Sequence, residues 1–475
     1  MKVLFINPAM RNLVQVPGPE AIPELANVAP PLGLLYVAAY AEKHTPHSVE
    51  MLDANLEGLS PEQLSERVAL IRPDVVGITA TTFSLVDVRM TAQAVKRVRP
   101  DARLVVGGPH VSLFPDETMT FPEVDFVIVG EGEQPFSQLL EALQAGGDFS
   151  HVPGLVWRDK QGAVRRNPVA PFMEDLDDLP FPARHLVPIA RYRSFMTHES
   201  LVATVMSSRG CPYGCTFCNH QHMGQKFRAR SAQSVVEEME QCARMGFREV
   251  MFYDDTFTIN RGRVLDICNL LIERRVPLKW DIRARVDTLN EELFDRLAEA
   301  GCIRLRIGVE SGTPEILRVL HKGINLDAAR RVFKWAAERG MTTFAYFMIG
   351  NPSETREQIV QTVAFAKAIR PDFVEFSPTH PCPGTDLYRM GLEKGIIPND
   401  FWREFALDPQ PGFKAMLWEE VLTRDEILDL LSWAFKSFYG RPSYMLRRLT
   451  RVRSFSELHR QARAGLKLLL GSHKG

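Results

Sequence analysis

The sequence predicts an α/β protein with two sheets in series: a doubly wound parallel sheet, then a partial barrel of six strands, and finally a helical C-terminal region. Two observations predict this order. Short apolar runs alternate with stretches of helical length in two separate parts of the chain, which is the pattern of βα units. A proline-rich segment divides the two series. The length of 475 residues agrees, because about 150 residues per domain gives about three domains.

The first series occupies residues 1–148, and its apolar runs end in small or polar residues. The predicted strands are Lys2–Asn7, Val75–Thr79, Leu104–Gly107 and Phe126–Val129, with a helix over Leu32–Lys43. The C-terminal ends of parallel strands line the ligand crevice of a doubly wound sheet. We therefore expect one rim to collect Asn7, Thr79–Thr82, Gly107–His110 and Gly130–Glu133.

Residues 149–195 form the predicted connector. The segment begins with a hairpin pattern that turns at Gln161–Gly162, and five prolines follow from Pro168 to Pro188. The stretch Asp175–Pro182 is interrupted by prolines too often for a helix, so we expect it to run extended over a surface.

The second series occupies residues 196–400 and predicts a partial (βα)6 barrel with its chemistry at the C-terminal strand ends. Its predicted strands are Val202–Ser207, Glu249–Asp254, Lys279–Arg283, Cys302–Val309, Thr342–Ile349 and Phe373–Ser377. Helices are predicted over Ala232–Met245 and Asn290–Ala300, the second with Asn290 as its N-cap. Residues 401–475 are predicted to be mostly helical.

Composition excludes several classes of protein. Lys and Arg number 57 against 58 Asp and Glu, and 45% of residues are hydrophobic, so disorder is not expected and nothing favours a nucleic-acid partner. The N-terminus lacks the features of a signal peptide, and the longest apolar run, Pro31–Ala41, is too short to span a membrane. We expect a cytoplasmic protein.

Three of the seven cysteines, Cys211, Cys215 and Cys218, share one loop directly after the first barrel strand. Three thiolates can hold a four-iron cluster and leave one iron open for an outside ligand. A zinc site completed by His220 or His222 is the alternative, although zinc sites more often use two separated ligand pairs. Three buried structural cysteines are the remaining interpretation.

The cysteine spacing, with Phe217 before the third cysteine, resembles the signature of the radical S-adenosylmethionine (SAM) enzymes. The resemblance implies a partial (βα)6 barrel and a [4Fe-4S] cluster. It further implies that the amino and carboxylate groups of SAM chelate the fourth iron. One-electron reduction then cleaves SAM to a 5′-deoxyadenosyl radical, chemistry that the cofactors carry and the protein positions.

Further segments at the strand ends resemble those that bind SAM in this family. The resemblance assigns the amino group to Asp254 or Asp255, the carboxylate to Arg283, the ribose to Glu310 with Ser311, and the adenine to backbone near Gly350 and Pro352. Each segment alone is also ordinary turn or helix-capping chemistry. Their order along the chain favours the cofactor interpretation.

The first domain resembles the flavodoxin- or Rossmann-like cobalamin (B12)-binding domain that one class of these enzymes carries. Its motif Asp53-Ala-Asn55-Leu-Glu-Gly58 has Asn55 where relatives place the cobalt-ligating histidine, so the lower axial position is expected to be empty or held by water. Thr79, Thr81, Gly107 and Gly108 resemble the segments that hold the dimethylbenzimidazole tail. The alternative is a related domain with a vestigial pocket.

Two features remain outside these motifs. Cys382 follows the last barrel strand and is a candidate catalytic thiol, whereas Cys242, Cys268 and Cys302 are expected to be structural. From Arg441 to Gly475 nine Lys and Arg stand against one acid, Glu457, with leucines between them. This tail could lie on an anionic membrane surface, but a solvated helical cap on the barrel is the favoured interpretation.

The resemblance implies an enzyme that functionalises an unactivated carbon, with methyl transfer favoured. In that mechanism the adenosyl radical abstracts hydrogen from the substrate, methylcobalamin supplies the methyl group, and a second SAM remethylates the cobalt. The first alternative is an oxidative cyclase like that of anaerobic bacteriochlorophyll synthesis; the second is a cobalamin or iron–sulfur sensor. The implied partners are a small molecule, lipid-like or a tetrapyrrole, and an external one-electron donor such as flavodoxin or ferredoxin. A peripheral contact at the inner membrane surface is a further hypothesis.

Overall fold

The computed structural model describes residues 1–17, 29–192, 201–219 and 222–449. Its strands are β1 (Lys2–Asn7), β2 (Ser48–Asp53), β3 (Val75–Thr79), β4 (Arg103–Gly107), β5 (Phe126–Ile128), β6 (Leu155–Arg158), β7 (Val164–Arg166), β8 (Val202–Val205), β9 (Ser208–Arg209), β10 (Arg228–Ala229), β11 (Glu249–Phe252), β12 (Lys279–Ala284), β13 (Cys302–Glu310), β14 (Thr342–Ile349) and β15 (Phe373–Pro378).

The helices alternate with these strands and then continue past the last of them. They are α1 (Leu32–His44), α2 (Ala54–Glu57), α3 (Pro61–Ile71), α4 (Leu85–Val98), α5 (Pro115–Thr118), α6 (Glu133–Gln144), α7 (Ala232–Arg244), α8 (Arg261–Glu273), α9 (Glu291–Glu299), α10 (Pro314–Val319), α11 (Leu326–Glu338), α12 (Arg356–Ile369), α13 (Asp386–Glu393), α14 (Phe401–Leu407), α15 (Arg424–Tyr439) and α16 (Pro442–Leu449).

The N-terminal sheet has seven strands in the order β2-β1-β3-β4-β5-β6-β7, and its first five strands are parallel. Successive residues of β1 pack on opposite faces. Val3 and Phe5 share one core with α1 and α6, whereas Leu4 and Ile6 share another with α3 and α4. This two-sided burial explains why β1 is apolar throughout, and it confirms the predicted doubly wound sheet.

Two parts of the predicted connector differ from expectation. The hairpin of β6 and β7 forms with Gly162 in a left-handed turn (φ 84°), but β6 pairs antiparallel with β5 and so extends the N-terminal sheet. Asp175–Pro182 is not fully extended. One 3-10 turn forms at Leu176–Asp178, where the Asp175 side chain accepts a hydrogen bond from Asp177 N.

The second sheet has six parallel strands in the order β15-β14-β13-β12-β11-β8, which confirms the partial barrel. All six predicted strands form, and the Asn290 side chain caps α9 by accepting a hydrogen bond from Leu293 N. Residues such as Leu305 and Ile307 pack outward against the helices. Arg304, which alternates with them, lies inside the barrel and pairs with Glu249 at 2.7 Å and Asp281 at 2.9 Å.

The C-terminal helices do not form one unit. On α14, Phe401, Trp402 and Phe405 join the core of the N-terminal domain, and Arg403 pairs with Glu117 at 2.7 Å. In contrast, α15 packs on the barrel. The predicted boundaries of 148, 195 and 400 remain a prediction, and residues 450–475, most of the basic tail, lie outside the described residues. Within the described ranges, the longest apolar helices fall short of a membrane span.

Candidate functional site between the sheet rim and the barrel

The cysteine loop follows β8 and is framed by the short antiparallel pair β9 and β10. Cys215 is buried, Cys211 is half-buried and Cys218 is exposed. Thr216 fixes the loop to two neighbours, because its N–H donates to Leu320 O at 3.1 Å and its carbonyl accepts from Leu387 N at 2.8 Å. The loop is therefore held against the barrel, and Cys218 is the most exposed of its three cysteines, although the neighbouring residues remove much of the water around its thiol.

The three thiols lie close enough to affect one another electrostatically. Burial raises the pKa of Cys211 and raises that of Cys218 to about 12, with Asp255 and the other cysteines adding to the shift. Among the described residues no three His, Cys, Asp or Glu side chains are arranged for a single metal ion. Cys211 and Cys218 are thus disfavoured as free thiolates. A positively charged iron–sulfur core would stabilise them, because each thiolate would bind an iron.

Two cations flank the thiols. Arg285 Nη1 lies 3.5 Å from Cys215 Sγ, and the Lys322 ammonium lowers the pKa of Cys218 in opposition to burial. The described residues give no support to a zinc site. His222 Nδ1 lies 3.1 Å from Ser112 Oγ, and His220 is outside the described residues. The two cations suit three thiolate ligands, because the negative charge of the thiolates exceeds the positive charge of the iron–sulfur core that they would hold.

The two candidate carboxylates for the amino group of SAM have different surroundings. Asp254 is 1% exposed and accepts hydrogen bonds from Ser207 N at 2.7 Å and from the hydroxyls of Ser207 and Ser208. Asp255 is exposed and contributes to the raised pKa of Cys211 and Cys218. Asp254 thus holds the chain that leads into the cysteine loop, whereas Asp255 faces the loop itself.

The segments proposed for the carboxylate and ribose of SAM lie on neighbouring strands. The Arg283 guanidinium lies 4.7 Å over the Tyr253 ring. Glu310 has a left-handed backbone (φ 70°) and its Oε1 lies 2.8 Å from Lys322 Nζ. Gly308 makes room for this pair, since a Cβ there would lie 2.3 Å from Glu310 Oε1. Strain of this kind concentrates at ligand sites.

The last two SAM segments are tightly packed. Ser311 is fully buried and its hydroxyl lies 3.2 Å from Thr362 Oγ1. Gly350 is left-handed (φ 70°), and Pro352 beside it is buried. Glu354 supports this turn, because its Oε2 accepts hydrogen bonds from Asn351 N at 3.0 Å and Nδ2 at 2.9 Å.

Glu354 gives a pH prediction for this turn. Burial raises the pKa of its carboxyl from about 4.5 to about 7, and the buried Oε1 has no hydrogen-bond partner among the described residues. Because the pKa of Glu354 is higher in the folded state than in the unfolded state, the free energy of unfolding is highest at low pH. It falls by about 3 kcal/mol as the pH rises from about 4.5 through about 7. We expect Glu354→Gln to flatten this loss between pH 5 and pH 8 in thermal unfolding. Parallel pH profiles for variant and parent would contradict it.

The ends of β3 and β4 lie side by side at the rim of the N-terminal sheet, where Gly107 pairs with Thr79. A Cβ at Gly107 would meet nothing within 4 Å, whereas Gly108 has φ 102° and a Cβ added there would lie 2.9 Å from Thr79 Oγ1. Thr79 and Thr81 are half-buried. The segments Thr79–Thr81 and Gly107–Gly108 therefore come together at the C-terminal ends of their strands, joined by the hydrogen bond from Ala80 N to Gly107 O at 2.7 Å.

Asn55 is placed by the turn after β2. Asp53 caps α2 and is held by Asn7 Nδ2 at 2.8 Å and the Tyr192 hydroxyl at 2.7 Å. The Asn55 Oδ1 accepts a hydrogen bond from Met10 N at 3.3 Å. An amide oxygen engaged in this way remains a weak ligand for cobalt. His110 is not exposed to the rim, because it is fully buried with Nδ1 3.0 Å from Thr82 Oγ1.

The rim faces the barrel mouth. Beside the contact of Ser112 with His222, a Cβ on Gly384 would lie 2.5 Å from Leu113 Cδ2 and 3.2 Å from Asn219 Nδ2. The loop that carries Cys382 therefore touches both the rim and the end of the cysteine loop. Burial raises the pKa of the Cys382 thiol to about 11, so it is protonated at neutral pH.

A buried ion-pair network joins the two domains. Arg209, directly before the cysteine loop, pairs with Glu131 at 2.8 Å and Glu133 at 2.5 Å, and Arg228 pairs with Glu131 at 2.9 Å. Arg209 and Arg228 hold the pKa of Glu131 below its usual value against the effect of burial. These four residues, the Glu131–Arg209 network, fix the end of β5 to the strand that leads into the cysteines.

Sequence reasoning missed the partners in these contacts. The rim prediction includes Gly130–Glu133 but not their partner Arg209, although that arginine lies two residues before Cys211. No motif in the sequence assigns Arg285 or Lys322 to the cysteine loop. Spacing along the chain cannot show which cation meets which anion across a domain boundary.

Comparisons with known proteins agree with this arrangement. Residues 205–366 match the model of the radical SAM superfamily, and residues 21–140 match that of the B12 binding domain. A protein of Pyrococcus horikoshii named an uncharacterized methyltransferase is 32% identical over 451 residues, which cover 94% of each chain. The anaerobic magnesium-protoporphyrin IX monomethyl ester cyclase of Rubrivivax gelatinosus is 28% identical over 455 residues, 94% of this chain and 78% of that one.

A solved structure has the same fold. The radical SAM methyltransferase TsrM from Kitasatospora setae, with cobalamin and a [4Fe-4S] cluster bound, superposes with a TM-score of 0.71 at 20% identity, over 93% of this chain and 89% of that one. Fold and site together define an iron–sulfur radical protein with a B12 domain. The chain belongs to the family of cobalamin-dependent radical SAM enzymes, and its cofactors are a [4Fe-4S] cluster, SAM and cobalamin.

Proposed function

We propose that this enzyme transfers a methyl group from SAM to an unactivated carbon of a small molecule bound between the sheet rim and the barrel mouth. The observation that carries the proposal is the contact between the rim and the segment after the cysteines, where Ser112 Oγ lies 3.1 Å from His222 Nδ1. A reaction that uses both cofactors on one substrate needs their sites to face each other. The methyltransferase name of the Pyrococcus relative supports the same reaction.

We propose the following residue roles, which the positions of the side chains around the cysteine loop and the sheet rim support. Cys211, Cys215 and Cys218 hold the cluster; Asp255 receives the ammonium of SAM, Arg283 its carboxylate, Glu310 the ribose, and backbone at Gly350 and Pro352 the adenine. Ser311 and Asp254 brace these segments from behind. Asn55, Thr79, Thr81, Gly107 and Gly108 form the cobalamin rim. The bound cofactors supply radical generation and the methyl group, while the chain orients both and excludes water.

The experiment that tests methyl transfer is the ratio of two products of SAM. The enzyme, loaded with cluster and cobalamin, is incubated with SAM and a reductant under anaerobic conditions. We expect S-adenosylhomocysteine to form in addition to 5′-deoxyadenosine, because a methyl group leaves one SAM and the adenosyl group leaves another. Formation of 5′-deoxyadenosine alone would contradict methyl transfer.

An oxidative cyclase is the second candidate function. It is favoured by the Rubrivivax cyclase, which matches 94% of this chain. That reaction needs no methyl donor, so the same assay separates the two candidates. Sustained 5′-deoxyadenosine formation without S-adenosylhomocysteine would favour the cyclase.

Cys382 tests whether a thiol takes part in the reaction. We expect Cys382→Ala to leave 5′-deoxyadenosine formation unchanged, because among the described residues its segment meets the cysteine loop through Gly384, beside Asn219, and through Leu387 N, which donates to the Thr216 carbonyl. A protonated thiol is suited to donate hydrogen, not to act as a nucleophile. Unchanged formation of the methylated product would remove Cys382 from the mechanism.

An external one-electron donor and a membrane surface are the partners that we propose. Reduction of the cluster needs an electron from outside the chain, and flavodoxin or ferredoxin is the proposed source. On α16, Leu446 is 67% and Leu449 is 58% exposed, whereas Arg447 and Arg448 bind back to the barrel at Pro371 O and Asp372. We expect Leu446→Asp with Leu449→Asp to reduce co-sedimentation with anionic liposomes; equal co-sedimentation would contradict the membrane contact.

A further inference from the structure

We propose that Arg285 is a positioning residue that sets the reduction potential of the cluster through its hydrogen bond to Cys215 Sγ. The inference rests on the proposed function, in which Cys211, Cys215 and Cys218 hold the cluster. It concerns a side chain that the cysteine motif does not include. Arg285 lies just beyond β12, at the barrel end that faces the loop.

The guanidinium of Arg285 is held on every side. Its Nη1 donates to Cys215 Sγ at 3.5 Å, and its Cζ lies 3.6 Å from the centre of the Tyr213 ring, two residues before that cysteine. Asp287 accepts from Nε at 3.0 Å and from Nη2 at 3.2 Å. Nη2 also donates to the Lys322 carbonyl. An arginine with four partners and 5% exposure has one available position.

A fixed cation at a cluster ligand favours the reduced cluster. Reduction adds one electron to the iron–sulfur core, and the added negative charge is delocalised onto the thiolates. An N–H···S hydrogen bond and a nearby positive charge both stabilise that charge, more strongly where water is excluded. Arg285 therefore raises the reduction potential, and Asp287, which faces the same guanidinium, lowers it in part.

The two members of the pair give opposite predictions. Loss of the Arg285 charge lowers the potential, and loss of the Asp287 charge raises it, because the cation is then no longer offset. If the two side chains had only a structural role, the reduction potential would shift in the same direction in both variants or would not shift in either. The opposite signs therefore separate an electrostatic effect from a disturbed loop.

The test is an anaerobic redox titration of the reconstituted full-length enzyme, followed by the electron paramagnetic resonance signal of the reduced cluster. Arg285→Gln and Asp287→Asn are compared with Arg318→Gln, in which an exposed arginine on α10 is changed in the same way. Iron and sulfide content normalise each sample. We expect Arg285→Gln to decrease the equilibrium constant for reduction about tenfold, about 59 mV for one electron, and Asp287→Asn to increase it, with Arg318→Gln unchanged.

The proposal is overturned if the reduction potentials of Arg285→Gln and Asp287→Asn both equal that of Arg318→Gln, or if both shift in the same direction. If Arg285→Gln does not retain the cluster, Asp287→Asn decides alone: a raised potential supports the proposal and an unchanged one overturns it. Failure of the proposed function is visible separately. In that case the parent enzyme would not hold four irons per chain, or Cys215→Ala would still hold them.

Discussion

Replacing Cys215 with alanine is expected to abolish formation of 5′-deoxyadenosine. Cys215 is the buried member of the three thiols and receives the Arg285 hydrogen bond. The substitution removes one of the three thiolate ligands of the cluster, and SAM cleavage depends on that cluster. Iron content and 5′-deoxyadenosine per chain are measured after anaerobic reconstitution. Both should fall to background.

The matched control is Cys268→Ala, the same substitution at a buried cysteine on α8 that packs in the barrel core. We expect this variant to keep its iron and its activity at a small cost in stability. Equal loss in both variants would show that the effect came from misfolding. Full iron and activity in Cys215→Ala would contradict the assignment of the loop.

Replacing Arg209 with methionine is expected to destabilise the enzyme by about 3–5 kcal/mol, because it leaves the buried Glu133 carboxylate without its cation. The same change loosens the join between the B12 domain and the strand that leads into the cysteines. We therefore expect a lower thermal unfolding midpoint together with less methylated product per 5′-deoxyadenosine. Both are measured on the cofactor-loaded enzyme.

Arg166→Met is the control for that prediction. Arg166 pairs with Asp116 on the surface, where both side chains are about half exposed or more, and exposed ion pairs contribute roughly 0–1 kcal/mol. Its midpoint should stay near that of the parent. Equal midpoints for the two variants would show that the Glu131–Arg209 network does not stabilise the domain contact.

Most of the fold could be predicted because its signals are local. Two-sided burial makes the inner strands of a parallel sheet apolar along their whole length, so β1, β3 and β14 appear as continuous runs. The strand β2 has no such run. Its sequence SVEMLD pairs with β1 at the edge of the sheet, where Ser48 is exposed and Glu50 is half-buried.

The features that could not be predicted are contacts between elements far apart in the sequence. The turn at Gly162 predicts a hairpin, but nothing within β6 indicates that it would pair with β5 and extend the N-terminal sheet. In the same way α14 has the composition of an ordinary amphipathic helix, and only the folded chain shows Trp402 in the core of the first domain. Local chemistry specifies elements, whereas their partners depend on the whole chain.

The site shows the same division. The cysteines and the glycines at the strand ends could be predicted because their chemistry is written in short motifs. The cations that serve those motifs come from elsewhere: Arg285 from the end of β12, Lys322 from the loop after α10, and Arg209 from β9. The raised pKa of Glu354 has the same origin, since burial by the surrounding fold causes it.

Transfer of a methyl group from SAM to the bound cobalamin can be measured without knowing the substrate, and it tests the proposed methyl transfer directly. The cluster- and cobalamin-loaded enzyme is incubated once with SAM that carries a deuterated methyl group, under reducing anaerobic conditions. We expect about one S-adenosylhomocysteine per bound cobalamin, with the deuterated methyl group transferred from SAM, and none in enzyme prepared without cobalamin. Release of 5′-deoxyadenosine with no S-adenosylhomocysteine in either preparation would contradict it.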